Sequence, residues 1–400
     1  MSLFSTLKPA ARDPILGLNE AFNLDDRPHK VNLGIGVYTD EEGEIPLLNS
    51  VARADKIHFN SRPTHNYLPI DGLPKYISAV QNLLFGNHCT LLEEERLVTV
   101  QSLGGTGALK IGADFLRNLR PNATVAISNP SWANHRSLFE TAGFSVCNYR
   151  YYNQETHNVD HAGLIEDLKQ LPTQSIVLLH ACCHNPTGVD LSKEDWKSII
   201  DIIREKDHIP FIDMAYQGFA DGIEQDLIAI RLLTQANIPF LLSNSFSKTF
   251  SLYGERTGAL SICTKSRQEA ALVRASLKRV IRTNYSNPPT YGASIVSIVL
   301  NSNELQPLWN NELDSMRERI QTMRQIMVDQ LNDQQNKIDF NFVILQKGMF
   351  SYSGLNPAQV KQLQEQFGIY ILGSGRICIA ALNRQNMNYV TQAIAQILRE

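Results

Sequence analysis

Apolar residues along this chain gather in short runs, and each run gives out into a polar cluster. Leu97-Val98-Thr99-Val100-Gln101 leads into 102–107, and Thr124-Val125-Ala126-Ile127 into Ser128-Asn129-Pro130-Ser131-Trp132. Ser175-Ile176-Val177-Leu178-Leu179 ends near His184-Asn185-Pro186-Thr187-Gly188, and Ile209-Pro210-Phe211-Ile212 ends in Asp213-Met214-Ala215-Tyr216. Pro239-Phe240-Leu241-Leu242 gives way to Ser243-Asn244-Ser245-Phe246-Ser247-Lys248. Runs this short and apolar predict buried strands, while the helical spacing of 108–119 and 193–206 predicts helices between them. Alternating strands and helices imply an α/β fold with a largely parallel sheet and right-handed crossovers. Ligands bind such sheets beyond the carboxyl ends of the strands, so the polar clusters are expected to converge on one site.

Other segments read differently. Residues 31–38 form an extended run in which Gly34 and Gly36 allow either a ligand or a packed neighbour to approach the backbone. Residues 66–72 have loop chemistry, with Tyr67 as a polar tip. Beyond Gly258, 268–278 predicts a helix, 282–289 a polar loop, and 304–331 long helical segments bridging two lobes. The C-terminal part alternates a strand at 340–345, a helix at 357–367 and a strand at 376–380, which is an α+β lobe.

The chain's 400 residues exceed one compact core of usual size, so two domains or one large domain with a lobe are expected. A net charge of −3 and a short, interrupted basic run, Lys278-Arg279-Val280-Ile281-Arg282, argue against nucleic acid as a partner. No apolar stretch is long enough to span a bilayer and the first residues lack a signal-peptide core, so a cytoplasmic location is expected. Cysteines 89, 147, 182, 183, 263 and 378 show no framework spacing and read as reduced thiols.

Lys248 stands where hydroxyls replace an apolar run. A lysine desolvated or placed near another cation becomes a nucleophile and can hold a carbonyl cofactor, with Ser245, Ser247 and Arg256 available to grip a phosphate. Taken alone, this window also reads as a turn with a solvated lysine; the convergence of strand ends favours the reactive reading. Residues 102–107 read as a glycine-rich turn before the helix at 108–119, and a phosphate could sit at Gly104-Gly105-Thr106 there, although the stretch matches neither the Walker loop nor the dinucleotide fingerprint. His180-Ala181-Cys182-Cys183-His184 resembles a metal-ligand cluster, but neighbours in a strand point to opposite faces, so no metal is expected. One lysine, an aspartate, a tyrosine, an asparagine, a tryptophan, a phosphate grip and spare arginines are the groups that a pyridoxal phosphate site needs.

Asn185-Pro186-Thr187-Gly188, Asp213-Met214-Ala215-Tyr216, Ser245-Phe246-Ser247-Lys248 and Arg256 occur in this order, with Gly34-Ile35-Gly36 before them and Ser374-Gly375-Arg376 after. In these motifs, across essentially its whole length, the chain resembles class I aminotransferases of the aspartate and aromatic amino acid group. The resemblance implies the fold type I architecture of pyridoxal-phosphate transferases, with a mostly parallel seven-stranded sheet. It places a large cofactor-binding domain at 46–316 and a small domain at 1–45 plus 317–400. It also implies that Lys248 is the Schiff-base lysine and proton shuttle, that Asp213 pairs with the pyridine nitrogen, and that Tyr216 and Asn185 bond the phenolic oxygen. Trp132 would stack on the ring and help enclose the substrate, while Gly105, Thr106, Ser245, Ser247 and Arg256 hold the phosphate.

By the same resemblance Arg376 binds the substrate α-carboxylate with help from Gly36 and Asn185. Tyr67 and Arg282 would reach in from the second subunit of a homodimer, Arg282 toward a side-chain carboxylate; without the resemblance Arg282 reads as a solvated cation at a helix end. Cis peptide bonds are expected at Asn129-Pro130 and Asn185-Pro186. Substrate signals are mixed: Tyr67-Leu68-Pro69 and 251–256 are similar to the aromatic branch, whereas Val37, Asn66, Thr106 and Asn287 look like the aspartate branch. The expectation is ping-pong transfer from aspartate, glutamate, tyrosine and phenylalanine to 2-oxoglutarate or oxaloacetate. The alternatives are a strict aspartate enzyme or a decarboxylase or lyase on the same cofactor, against which the arginine pair argues. A transcription regulator of this fold would need a DNA-binding module, for which a motif starting at Asp13 leaves no room.

Overall fold

Seven strands form the central sheet in the order Leu97–Leu103, Thr257–Cys263, Phe240–Ser245, Ile209–Met214, Ile176–His180, Thr124–Asn129, Ser145–Arg150. Thr257–Cys263 runs antiparallel to both neighbours, and the remaining pairs are parallel. The computed structural model describes residues 2–7, 15–334 and 338–399, so the Asp13-Pro14 start of the N-terminal motif lies outside the described residues. Every residue of Ile176–His180, Phe240–Ser245 and Thr257–Cys263 is buried. Strands covered on both faces explain why their sequences read as near-continuous apolar runs instead of alternating ones.

Two apolar layers cover the sheet. One joins Leu109, Phe115, Phe139, Phe211, Leu241, Leu260 and Leu277; the other joins Trp196, Ile212, Leu242, Phe250, Trp309 and Met323. Connections run outward from Thr124–Asn129 on one side and from Ile176–His180 on the other, so the strand order reverses between them. That reversal opens a crevice at the carboxyl ends. A second feature sits at the same edge. Because Thr257–Cys263 returns antiparallel, its link to Phe240–Ser245 is a loop and not a helical crossover. Ser245 and Gly258 are register partners, so Lys248 and Arg256 are carried on a loop that begins and ends beside the same strand end.

Helices Lys193–Lys206 and Pro357–Phe367 match their predicted bounds. The former starts with a capping box between Ser192 and Asp195, the latter with one between Asn356 and Gln359. Three expectations need correction. The glycine-rich stretch is not a turn but the first turn of helix Gly104–Leu119, with only Gly104 at positive φ (68°). Residues 340–345 are not a strand: Phe340–Val343 is a 3-10 turn, capped by Asp339 on the Asn341 amide, that buries Phe340 and Val343. The strand that pairs with Arg376–Cys378 is Phe350–Tyr352. Arg282 is not in a loop, because helix Arg267–Asn284 runs through it. Residues 304–331 form one helix, Leu305–Asp333, with a buried stripe from Trp309 to Leu331.

In the extended N-terminal run, Val31–Asn32 pairs in parallel with Ile369–Tyr370, joining the two ends of the chain. All six cysteines are free thiols. No helix among the described residues is long and apolar enough to cross a membrane.

Candidate active site

Gly36, Gly105, Thr106, Trp132, Asn185, Asp213, Tyr216, Ser245, Ser247, Lys248, Arg256 and Arg376 line one cavity at the crevice, together with Ile15, Leu109, His180, Ala215 and Phe350. Lys248 lies above the Tyr216 ring, 5.2 Å from its centroid. Burial pushes its ammonium down from 10.5 to about 8; Asp213 opposes the change, and Arg256 and Arg376 add to it. A neutral amine is therefore accessible near neutral pH, as a nucleophile or base requires.

Asp213, the last residue but one of strand Ile209–Met214, is only 6% exposed. Burial by itself would raise its carboxyl, but the His135 hydrogen bond and the electrostatic pull of the His135 and His180 rings and of Lys248 outweigh it and hold the group below its ordinary value. His135 Nε2 lies 2.9 Å from Asp213 Oδ2, and Ser131 Oγ lies 2.9 Å from His135 Nδ1. A carboxylate only accepts, so Nε2 carries a proton and donates it to Asp213. Burial keeps His180 neutral, with its pKa at about 3, and pushes the Tyr216 phenol well up.

Small residues and hydroxyls build a cradle on the other side of the cavity. Ser245 Oγ donates to Ser247 Oγ at 3.2 Å, and the Ser247 amide returns to Ser245 Oγ at 3.3 Å. Arg256 is fixed by donating to the Tyr253 carbonyl at 2.9 Å. A Cβ on Gly104 would sit 2.7 Å from an Arg256 nitrogen, and one on Gly105 would sit 3.1 Å from Ser245 Cβ. The glycines thus let the amides at the start of helix Gly104–Leu119 face Ser245, Ser247 and Arg256, a setting suited to a phosphate.

Arg376 is 2% exposed. It donates to Asn185 Oδ1 at 2.9 Å and to the Gly34 carbonyl at 2.5 Å, and its guanidinium lies 4.0 Å from the centroid of the Phe350 ring. Its Nε is buried without a hydrogen-bond partner. A buried cation with an unused donor fits a carboxylate ligand.

Two predicted residues are not brought here by their own chain. Tyr67 is 85% exposed and lines a separate hollow with Asn66, Asn287 and Pro288. Arg282, on the exposed end of its helix, bonds Ser286. In the histidine–cysteine stretch His180 packs on both His135 and His184, His184 bonds Ser128 and Thr187, and Cys182 and Cys183 lie together by Asp226. Both expected cis peptide bonds are present. Sequence reading missed His135 and Phe350. His135 stood one helical turn beyond Trp132, a signal for a shared face; nothing local marked Phe350.

The family profile described as "Aminotransferase class I and II" matches residues 28–394. The chain is 60% identical over 398 residues to an aspartate aminotransferase of Pseudomonas aeruginosa, covering 100% of both. It is 46% identical to the aromatic-amino-acid aminotransferase of Escherichia coli, covering 99% of this chain and 100% of that one. The crystal structure of an aromatic-amino-acid aminotransferase from Burkholderia pseudomallei, described as covalently bound to pyridoxal phosphate, superposes with a TM-score of 0.97 at 55% identity, covering 100% of each chain. Sequence, architecture and cavity agree over the full length, and the chain belongs to the class I and II aminotransferase family.

Proposed function

We propose that this protein is a pyridoxal 5'-phosphate-dependent aminotransferase that moves the amino group of aspartate, glutamate, tyrosine and phenylalanine to 2-oxoglutarate or oxaloacetate by a ping-pong route. The observation that carries the reading is the placement, in one cavity, of a lysine lowered to about 8, a low-pKa aspartate and a buried arginine with an unused donor.

These residues fit the cofactor. Ser245, Ser247, Arg256, Gly105 and Thr106 would hold its phosphate, Asp213 its ring nitrogen, Tyr216 and Asn185 its phenolic oxygen, Trp132 its ring face and Lys248 its aldehyde carbon. When bound, the cofactor supplies a conjugated ring that accepts the electron pair left when a Cα–H bond breaks. The protein supplies the rest. Asp213, to which His135 donates, would hold a proton at the ring nitrogen, and Lys248 would take the Cα proton and deliver it to the carbon that was the cofactor's aldehyde. Arg376 grips the α-carboxylate through two parallel donors and so orients that Cα–H bond.

The same reading makes the protein a cytoplasmic homodimer, with Tyr67 and Arg282 serving the partner's cavity. Exposed Phe4, Leu7, Leu24, Leu47, Phe59 and Tyr67 support an interface of that kind. The division into 46–316 and 1–45 plus 317–400 is supported by the pairing of Val31–Asn32 with Ile369–Tyr370. A strict aspartate enzyme is the second reading, favoured by Asn66 and Asn287 beside Tyr67. Catalytic efficiencies for aspartate, tyrosine and phenylalanine decide between them: absence of aromatic turnover leaves the strict reading. Purified protein is expected to show a visible cofactor band that shifts with glutamate and is lost in Lys248→Ala. Protein that binds no pyridoxal phosphate would refute both readings.

A further inference from the structure

A second buried cation lies behind Arg376. Arg324, on helix Leu305–Asp333, is 3% exposed. Its hydrogen bonds run to neutral groups: the Gly348 carbonyl at 2.6 Å, the Phe350 carbonyl at 3.5 Å and Ser351 Oγ at 3.3 Å. Burial pushes its guanidinium down to about 10. A charge kept in the interior without a carboxylate is costly, and an apolar side chain of similar volume would avoid that cost. The backbone that it holds is therefore the place to look for a reason.

That backbone is wedged against the turn that carries Asn185. The Lys347 amide donates to the Gly188 carbonyl at 2.6 Å. A Cβ on Gly188 would come 2.7 Å from the Phe350 carbonyl, and one on Gly348 would come 2.4 Å from Cys183 Cβ. From this strand the Phe350 ring meets the Arg376 guanidinium at 4.0 Å and the Tyr216 ring edge-on at 5.9 Å. It also meets Gly36, where a Cβ would come 2.8 Å from the ring tip. Arg376 is thus held between Asn185, Gly34 and Phe350, and the last of these depends on the 348–351 backbone.

We propose that Arg324 is a positioning residue for the substrate α-carboxylate: by fixing the 348–351 backbone it seats Phe350 on Arg376, which turns the free edge of that guanidinium toward the ligand. The inference rests on the reading of Arg376 as the carboxylate site. A lysine at 324 keeps the charge but loses the planar fork that spans the Gly348 carbonyl and Ser351 Oγ together. A methionine keeps the bulk and loses every donor.

The test uses cofactor-loaded protein and succinate, which has carboxylates but no amine to react. Calorimetric titration is expected to show the dissociation constant rising about tenfold or more in Arg324→Lys and Arg324→Met, the scale of a misplaced charge-assisted contact. KM for amino acids should rise in parallel while kcat at saturation stays near wild type. The slow half-reaction with an amine that lacks a carboxylate should be unchanged, which a merely structural role would not produce. Phe350→Leu, with Arg324 intact, should weaken succinate binding to a similar degree and serves if either Arg324 variant fails to fold. Wild-type succinate affinity in the variants, or an equal loss with the carboxylate-free amine, overturns the inference. If wild-type protein itself does not bind succinate, the carboxylate site fails and takes this inference with it.

Discussion

The lowered pKa of Lys248 has a consequence for stability that can be worked in numbers. An ordinary lysine at 10.5 is neutral in roughly one molecule in three thousand at pH 7, whereas one at about 8 is neutral in roughly one in eleven. That gain in free amine is set against folding. Below pH 8 the folded chain carries a buried ammonium, at a cost of about 3 kcal/mol relative to the unfolded chain. Between pH 8 and 10.5 the folded lysine has lost its proton while the unfolded one has kept it. The unfolded state then binds more protons, so stability rises with pH in that window.

Lys248→Met removes this titration. In cofactor-free protein, the stability of Lys248→Met relative to wild type should fall by about 1.4 kcal/mol between pH 7 and pH 9, because wild type recovers that much. Urea unfolding of both proteins at the two pH values measures it, and all other titrating groups cancel in the difference. A difference that does not change with pH, or that grows, would show that Lys248 is not depressed by burial.

Arg376→Lys keeps the charge but not the paired donors, and should lower kcat/KM for every α-amino acid by about a hundredfold or more without weakening cofactor binding; undiminished efficiency would remove Arg376 from the carboxylate role. Asp213→Asn cannot hold a proton at the ring nitrogen, and stopped-flow half-reactions should slow by roughly 10²–10⁴-fold with the cofactor still bound; near-normal rates would assign that role elsewhere. Gly104→Ala forces a side chain into positive φ at 2.7 Å from an Arg256 nitrogen and should raise the cofactor dissociation constant by about tenfold, read after gel filtration. Mixing inactive Lys248→Ala with Arg282→Ala subunits should restore roughly a quarter of the aspartate activity, since half the dimers then carry one intact site; no recovery after subunit exchange would refute the shared cavity.

Much of this architecture was legible in the chain because it depends on local period and on strand ends. The runs near 97, 124, 176, 209 and 240 are largely apolar because both sheet faces are covered, and polar residues inside a covered strand need a partner there, as Thr99 and Ser261 find in each other at 2.9 Å, so most of them stand where the strand leaves the sheet. That rule placed Asn185, Asp213, Ser245 and Lys248 near one another before any contact was seen. The motif order then identified the family. The strand expected at 340–345 failed because alternating Phe340 and Phe342 suit a strand, while the cap from Asp339 and the burial of Phe340 with Val343 suit a turn; only the pairing of Phe350–Tyr352 with Arg376–Cys378 decides.

What the sequence determined by itself was the succession of elements and the kinds of group at their ends. Which groups touch was decided by tertiary structure. His135 meets Asp213 across 78 positions, Arg376 meets Asn185 across 191, and Phe350 reaches Arg376 through a strand pair that Arg324 braces from another helix. None of these contacts has a local period, because each is fixed by how helices and loops pack after the sheet has formed. The lowered pKa of Lys248 belongs with them, since it comes from burial and from charges that only the fold brings near.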